Sequence, residues 1–286
     1  MPFKNVNGIK MYYQVKGTGI PIIFIHPPLL TCSNFLYQLE QLSEQFEVIT
    51  FDVRGHGLSE TSKEPLSYSL IVEDIVQLLH FLKIKRCYIS GYSTGGSVAL
   101  EAMLSYPEHF YGGILISAMS EVSDIKLKSR IMMAVGLTTI RAKNLLAYAI
   151  TRGNADIKQT FKQLFRQSKR GNVQNMKQYY QYSLSYNVSE KLQYIQSPQL
   201  LIYGDQDKGF HKYAKILHQG LPHNELHFLA GKTHQIPTKA ALHMNDLISN
   251  WIIEHQRLLC TQNEDFADFD FCNTLKNTEK EFDYLH

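Results

Sequence analysis

Arg86-Cys-Tyr-Ile-Ser90, followed at once by Gly91-Tyr-Ser-Thr-Gly95 and then Gly96-Ser-Val-Ala-Leu100, decides the fold of this chain. The first five residues form a short, mostly apolar run of the kind buried in a parallel sheet. The last five are small residues and helix formers. Between them lies Gly-x-Ser-x-Gly, a turn tight enough that a side chain beside the serine would clash. Strand, tight turn and helix together hold the Ser93 hydroxyl at the tip of a strand, where the helix N-terminus favours negative charge. Ser93 is therefore the candidate nucleophile.

Working outward, Pro21-Ile-Ile-Phe-Ile25, Glu47-Val-Ile-Thr-Phe51, Gly113-Ile-Leu-Ile-Ser117 and Gln199-Leu-Leu-Ile-Tyr203 are runs of the same kind. Residues 9–16 alternate as a half-buried strand, and Leu226-His-Phe-Leu229 is a further apolar stretch. Ile71, Ile75, Leu78, Leu79 and Leu82 recur at helical spacing, with Ser69 as the expected N-cap. Further helices are expected after the serine (Val98 to Leu104) and over Ala241 to Trp251. Alternating strands and helices give an α/β class: a doubly wound, mostly parallel sheet of about eight strands with helices on both faces. Chemistry in such sheets sits at the carboxyl ends of the strands.

The rhythm breaks over residues 120–196, which read as helices (Ile125 to Leu146, Asp156 to Gln167, Val173 to Tyr186) rich in Lys and Arg. Such an insertion between strands is expected to be a lid over a pocket. The expected organisation is one domain over 1–255, with a core of 1–119 and 197–255 and the lid at about 120–196. The tail 256–286 mixes acids with phenylalanines (Asn263-Glu-Asp-Phe-Ala-Asp-Phe-Asp-Phe271) and has the composition of a segment without a fixed fold. Its charge opposes that of the insertion, which raises docking on the insertion or on a protein partner as the alternative.

At 286 residues, 44% hydrophobic and 19% charged, the chain has enough material for a substantial core, and its net charge of +3 gives no case for nucleic acid. Cys32, Cys87, Cys260 and Cys272 are too scattered for a metal site and too few for a disulfide framework. No stretch approaches the ~20 apolar residues of a membrane span, and the first residues contain no apolar leader run. The expectation is a cytoplasmic protein with reduced cysteines, without a cofactor, metal or membrane partner, acting on a small molecule.

With Gly91–Gly95 and Phe51-Asp-Val-Arg-Gly-His-Gly-Leu-Ser59 in this order, residues 8–255 resemble the α/β-hydrolase family, in its serine-nucleophile branch of esterases, lipases and thioesterases. The family order is serine, acid, histidine. In Tyr203-Gly-Asp-Gln-Asp-Lys208 the resemblance implies Asp207 as the acid, with Asp205 the competitor. In Ala230-Gly-Lys-Thr-His-Gln-Ile-Pro237 it implies His234 as the base, ahead of His223, His227 and His243. Asp52, Arg54 and His56 are expected to shape the neighbouring loop.

The family also needs two donors for a developing oxyanion. One is the backbone N–H of Thr94. The other normally comes from a His-Gly-x loop, here His26-Pro-Pro-Leu-Leu30, where Pro28 at the donor position has no N–H. Leu29 or Leu30 donating from a shifted loop is the expectation, with Leu29 preferred. A side chain of Thr31 or Ser33, or an incomplete hole, are the alternatives. The resemblance implies cleavage of a small acyl ester or thioester through an acyl-enzyme. Acyl transfer, carbon–carbon bond hydrolysis and cofactor-free perhydrolysis use the same parts. A ligand receptor with slow or single turnover is the rival outside catalysis.

Overall fold

A computed structural model describes residues 2–262 of the chain. Eight strands form one sheet: β1 (Phe3–Val6), β2 (Ile9–Lys16), β3 (Ile20–Ile25), β4 (Phe46–Phe51), β5 (Cys87–Tyr92), β6 (Phe110–Ile116), β7 (Gln199–Gly204) and β8 (Asn224–Leu229). Their spatial order is β1-β2-β4-β3-β5-β6-β7-β8. β1 and β2 join antiparallel, β2 joins β4 antiparallel, and the remaining pairs are parallel. The expected architecture is therefore present. β1 is an addition, too short and polar to stand out in the sequence.

Period-two alternation explains why the central strands are apolar throughout. Ile22, Phe24, Val48, Tyr88, Ile114 and Leu200 face one layer, while Ile23, Ile25, Ile49, Ile89, Leu115 and Leu201 face the other. The first layer holds α1 (Leu36–Gln41), and the second holds α2 (Tyr68–Leu82) and α3 (Thr94–Ser105). Ser67, not Ser69, caps α2, its hydroxyl accepting from the Leu70 N–H at 3.1 Å. The Ser69 hydroxyl donates to Glu101 instead.

The stretch between β6 and β7 folds as four helices: α4 (Ile125–Thr139), α5 (Lys143–Asn154), α6 (Lys158–Ser168) and α7 (Val173–Ser185). The single helix expected over Ile125 to Leu146 is thus two. A Schellman motif stops α4: Arg141 takes φ 59°, its N–H donates to the Thr138 carbonyl, and the Ala142 N–H reaches back to Leu137. Glycine is usual at that left-handed position, and arginine there gave no stop signal. At the base of the insertion Glu121 and Asn187 form an antiparallel bridge, and the Val188 N–H donates to the Ser120 carbonyl at 3.0 Å.

The remaining helices are α8 (His211–Gly220), α9 (Ile236–Lys239) and α10 (Ala241–Gln262). α10 packs in the layer of α1, and its Gln256 amide donates to the Tyr88 hydroxyl. The helix runs past the boundary expected at 255. The rest of the expected tail, 263–286, lies outside the described residues.

Candidate active site

Ser93 stands between β5 and α3 with φ 55° and ψ −122°, a backbone conformation that L-residues rarely adopt. The strain is held by packing. A Cβ on Gly91 would lie 2.2 Å from the Gly95 carbonyl oxygen, and one on Gly95 would lie 2.2 Å from that of Ile25. The Ser93 N–H donates to the Ile116 carbonyl at 2.8 Å, tying the turn to β6.

His234, in the loop after β8, brings Nε2 to 3.1 Å from the Ser93 hydroxyl oxygen. Its Nδ1 lies 2.7 Å from Oδ2 of Asp207, in the loop after β7. With Nδ1–H donating to the carboxylate, Nε2 presents its lone pair to the serine hydroxyl. The Phe210 ring packs 4.2 Å from the imidazole, and the Ser117 hydroxyl donates to the His234 carbonyl at 3.1 Å. Sequence reasoning did not single out Ser117 or Phe210, since neither belongs to a motif. The Asp205 carboxylate is not the one at His234, and its buried Oδ1 has no hydrogen-bond partner among the described residues. His227 lies in β8 beside Glu225, and His243 lies in α10.

The loop after β3 turns sharply at its two prolines. Leu29 takes φ 70° just after Pro28, the arrangement of a type II turn, with proline second and a positive φ third. Pro27 and Pro28 carry no N–H, and the Leu29 N–H has no hydrogen-bond partner among the described residues. Thr31 is occupied otherwise, its hydroxyl accepting from the Ser33 N–H at 3.3 Å.

His26 braces this loop. Its Nδ1–H donates to the Pro27 carbonyl, and its Nε2 accepts from the Val53 N–H, both at 2.9 Å. Burial, with neighbouring His56 adding to it, pushes His26 down to about 3, so the ring is neutral. From α7, Tyr179 donates to the His26 carbonyl at 3.2 Å and Tyr180 to the Pro28 carbonyl at 3.4 Å.

Asp52, Arg54 and His56 are buried and make their contacts within the neighbouring loops and α2. Asp52 accepts the Cys32 and Leu58 N–H groups, each at 2.8 Å. Arg54 pairs with buried Asp74, Nε to Oδ2 being 2.7 Å. His56 is buried, and burial pushes it down to about 4.

Above the serine lies a cavity of about 610 Å³. Ser93, Thr94, Tyr92 and His234 line it from the sheet side, and Ile131, Leu137, Leu146, Ile150 and Tyr180 line it from the insertion. The lining is apolar apart from a few groups, and Arg130 is the one Lys or Arg among the lining residues. Of the tyrosines on α7, Tyr180 lines the cavity while Tyr179 and Tyr182, with Tyr186 just after the helix, pack around Tyr68.

A family model described as serine aminopeptidase, S33, matches residues 23–239. Ethanol acetyltransferase 1 of Kluyveromyces lactis is 34% identical over 42% of this chain, a stretch covering 32% of that protein. The human serine hydrolase BPHL is 30% identical over 42% of this chain and 43% of its own length. The chain thus spans less than half the length of these relatives. An esterase from Exiguobacterium antarcticum superposes over 87% of this chain and 98% of its own, with TM-score 0.80 and 18% identity. An enol-lactonase from Burkholderia xenovorans does so over 88% and 100%, with TM-score 0.78 and 17% identity. At these identities the structural likeness is one of fold.

Proposed function

The chain belongs to the serine aminopeptidase S33 family of α/β-hydrolases, and from that premise we propose that it cleaves small acyl esters or thioesters through an acyl-enzyme on Ser93. The observation that carries this reading is the continuous hydrogen-bonded path from Asp207 through His234 to a serine in strained geometry. His234 Nε2 takes the Ser93 proton as the hydroxyl oxygen attacks the acyl carbonyl. The tetrahedral oxyanion is received by the Thr94 and Leu29 N–H groups, each worth roughly 3–4 kcal/mol if it matches a known donor of this type. The imidazolium then gives its proton to the leaving alcohol or thiol. Water, deprotonated by the same nitrogen, releases the acid and restores the serine. Asp207 keeps its negative charge throughout, fixing the tautomer and stabilising the imidazolium.

An ester or thioester suits this cavity better than a peptide amino-terminus. A free α-ammonium needs a carboxylate to meet it, and no Asp or Glu is among the lining residues. The apolar walls from α4 and α5 suit an acyl chain, and the insertion serves as the lid that keeps water from it.

Acyl transfer is the second reading, favoured by the similarity to an ethanol acetyltransferase. An alcohol would replace water in the second half of the same scheme.

The test is intact-mass labelling with a fluorophosphonate, on native protein and on Ser93→Ala and His234→Ala. One adduct on the native chain and none on either variant supports the reading. Absence of any adduct on folded native protein would refute it. Product release with and without added ethanol separates hydrolysis from transfer, and continued release after one equivalent separates both from a single-turnover receptor.

A further inference from the structure

α4 is apolar on both sides, yet only one side is covered. Its inner face, with Ile131, Ala134 and Leu127, packs in a cluster with Met176 and Tyr180 of α7. Its outer face carries Ile125 at 81% exposure, Met132 at 57% and Ile140, at its C-terminal end, at 71%. An apolar strip on a helix normally packs against another element, and no described residue covers this one. α5, in contact with α4, also has exposed Leu145 and Tyr148, the latter edge-on to Phe161 and Phe165 of α6.

The placement of charge says what the partner is. At roughly 100° per residue, Ile125, Met132 and Met133 of α4 and the C-cap Ile140 fall within an arc of about 100°, shared with the small residues Ser129 and Gly136. Lys128 borders that arc on one side, and Lys126 and Arg130 border it on the other. None of these three cations has an ion-pair partner among the described residues. Over residues 125–155 the sequence contains six Lys or Arg and no Asp or Glu. An apolar strip with cations along both edges is the pattern of a helix lying in a lipid headgroup layer, lysine stems reaching up to phosphates.

We propose that the outer face of α4 and α5 docks on an anionic lipid bilayer. A second copy of the same face is disfavoured, because two surfaces that carry only cations repel. The acidic run 264–271 lies outside the described residues, and its docking here is an outcome of the test below. α10 carries the chain toward the amino ends of the strands, where Gln256 meets Tyr88 at the start of β5, away from the insertion. No helix among the described residues is long and apolar enough to cross a membrane. The contact is therefore peripheral, a mode that leaves no long apolar run and is invisible to a search for spans. Met133 is both exposed and part of the cavity lining, so the docked face adjoins the entrance to the cavity. Docking does not depend on the role proposed for Ser93.

The experiment is co-sedimentation of the full chain with vesicles of phosphatidylcholine alone and of phosphatidylcholine mixed with phosphatidylglycerol. Native protein is expected to sediment with the mixed vesicles and not with the neutral ones, and to be released by high salt. A cation near such a surface contributes roughly fivefold, so Lys126→Glu/Lys128→Glu should weaken partitioning on the order of 25-fold or more. Met132→Glu/Ile140→Glu should abolish it. Neither pair lines the cavity, and the far-ultraviolet spectrum and urea unfolding check that the variants are folded. The proposal is overturned if native protein sediments with neither vesicle or equally with both, or if the variants behave as native. It is equally overturned if the native chain is a dimer that Met132→Glu/Ile140→Glu dissociates, or if vesicle binding appears only on removal of residues 263–286.

Discussion

The Tyr180 hydroxyl, on the last helix of the insertion, donates to the carbonyl of Pro28, in the loop facing the candidate nucleophile. Tyr179 does the same to His26. The helix above the cavity and the loop that supplies Leu29 are thus tied at two points. Tyr179→Phe and Tyr180→Phe each remove one tie, worth about 1 kcal/mol. Each should slow fluorophosphonate labelling roughly fivefold while the far-ultraviolet spectrum is unchanged. Labelling at the native rate in the double variant would mean that the loop holds its shape alone.

Two aspartates two residues apart should differ sharply. Asp207→Asn removes the acceptor that fixes the His234 tautomer and is expected to lower kcat by a factor of about 10⁴. Asp205→Asn leaves that contact intact, and its effect on kcat should stay within about tenfold. Hydrolysis of a short activated ester by the two variants decides the assignment.

The glycines separate the same way. A Cβ on Gly95 would press on the Ile25 carbonyl, so Gly95→Ala forces the elbow away from β3. A loss of about 3 kcal/mol or more is expected in urea unfolding. Gly136, inside α4, has nothing within 4 Å of its would-be Cβ. Gly136→Ala should stabilise α4, by up to about 1 kcal/mol.

His26 and His56 set a response to acid. Burial brings them to about 3 and about 4 in the folded chain, against 6.5 ordinarily. Between those values the unfolded chain binds more protons, so stability falls as pH drops from about 6.5 toward 4. Buried Asp52 and Asp74, raised by burial, act in the opposite sense at the acid end. His56→Gln isolates one histidine. The unfolding free energy of this variant, from urea titration, should fall less steeply over that window, by roughly 1–3 kcal/mol in total. Parallel slopes would assign the acid response to other groups.

A bound phosphonate would test the oxyanion donors directly. Its phosphoryl oxygen is expected within about 3.1 Å of both the Leu29 and Thr94 nitrogens in a crystal structure of the adduct. Contact with Thr94 alone would remove Leu29 from the scheme.

Much of this was legible because the informative residues are local. A strand, a glycine-bounded turn and a helix are neighbours in sequence, and Ser93, Asp207 and His234 each follow their own strand. What escaped depends on distance or on backbone shape. Tyr179 and His26 are 153 residues apart, and nothing in either segment announces the other. Arg141 adopts the conformation of a glycine without being one, so the break between α4 and α5 left no mark. Ser67 and Ser69 are equally good caps by type, and only the geometry at Leu70 chooses between them.

The bridge between Glu121 and Asn187 sets the two ends of the insertion side by side, and the strands it leaves and rejoins, β6 and β7, are already neighbours in the sheet. The four helices are therefore a cassette on a closed stem. Their length and composition can be rewritten by evolution, or exchanged by design for those of another relative, without altering the order of the strands, so long as Tyr179 and Tyr180 still reach the loop of His26 and Pro28.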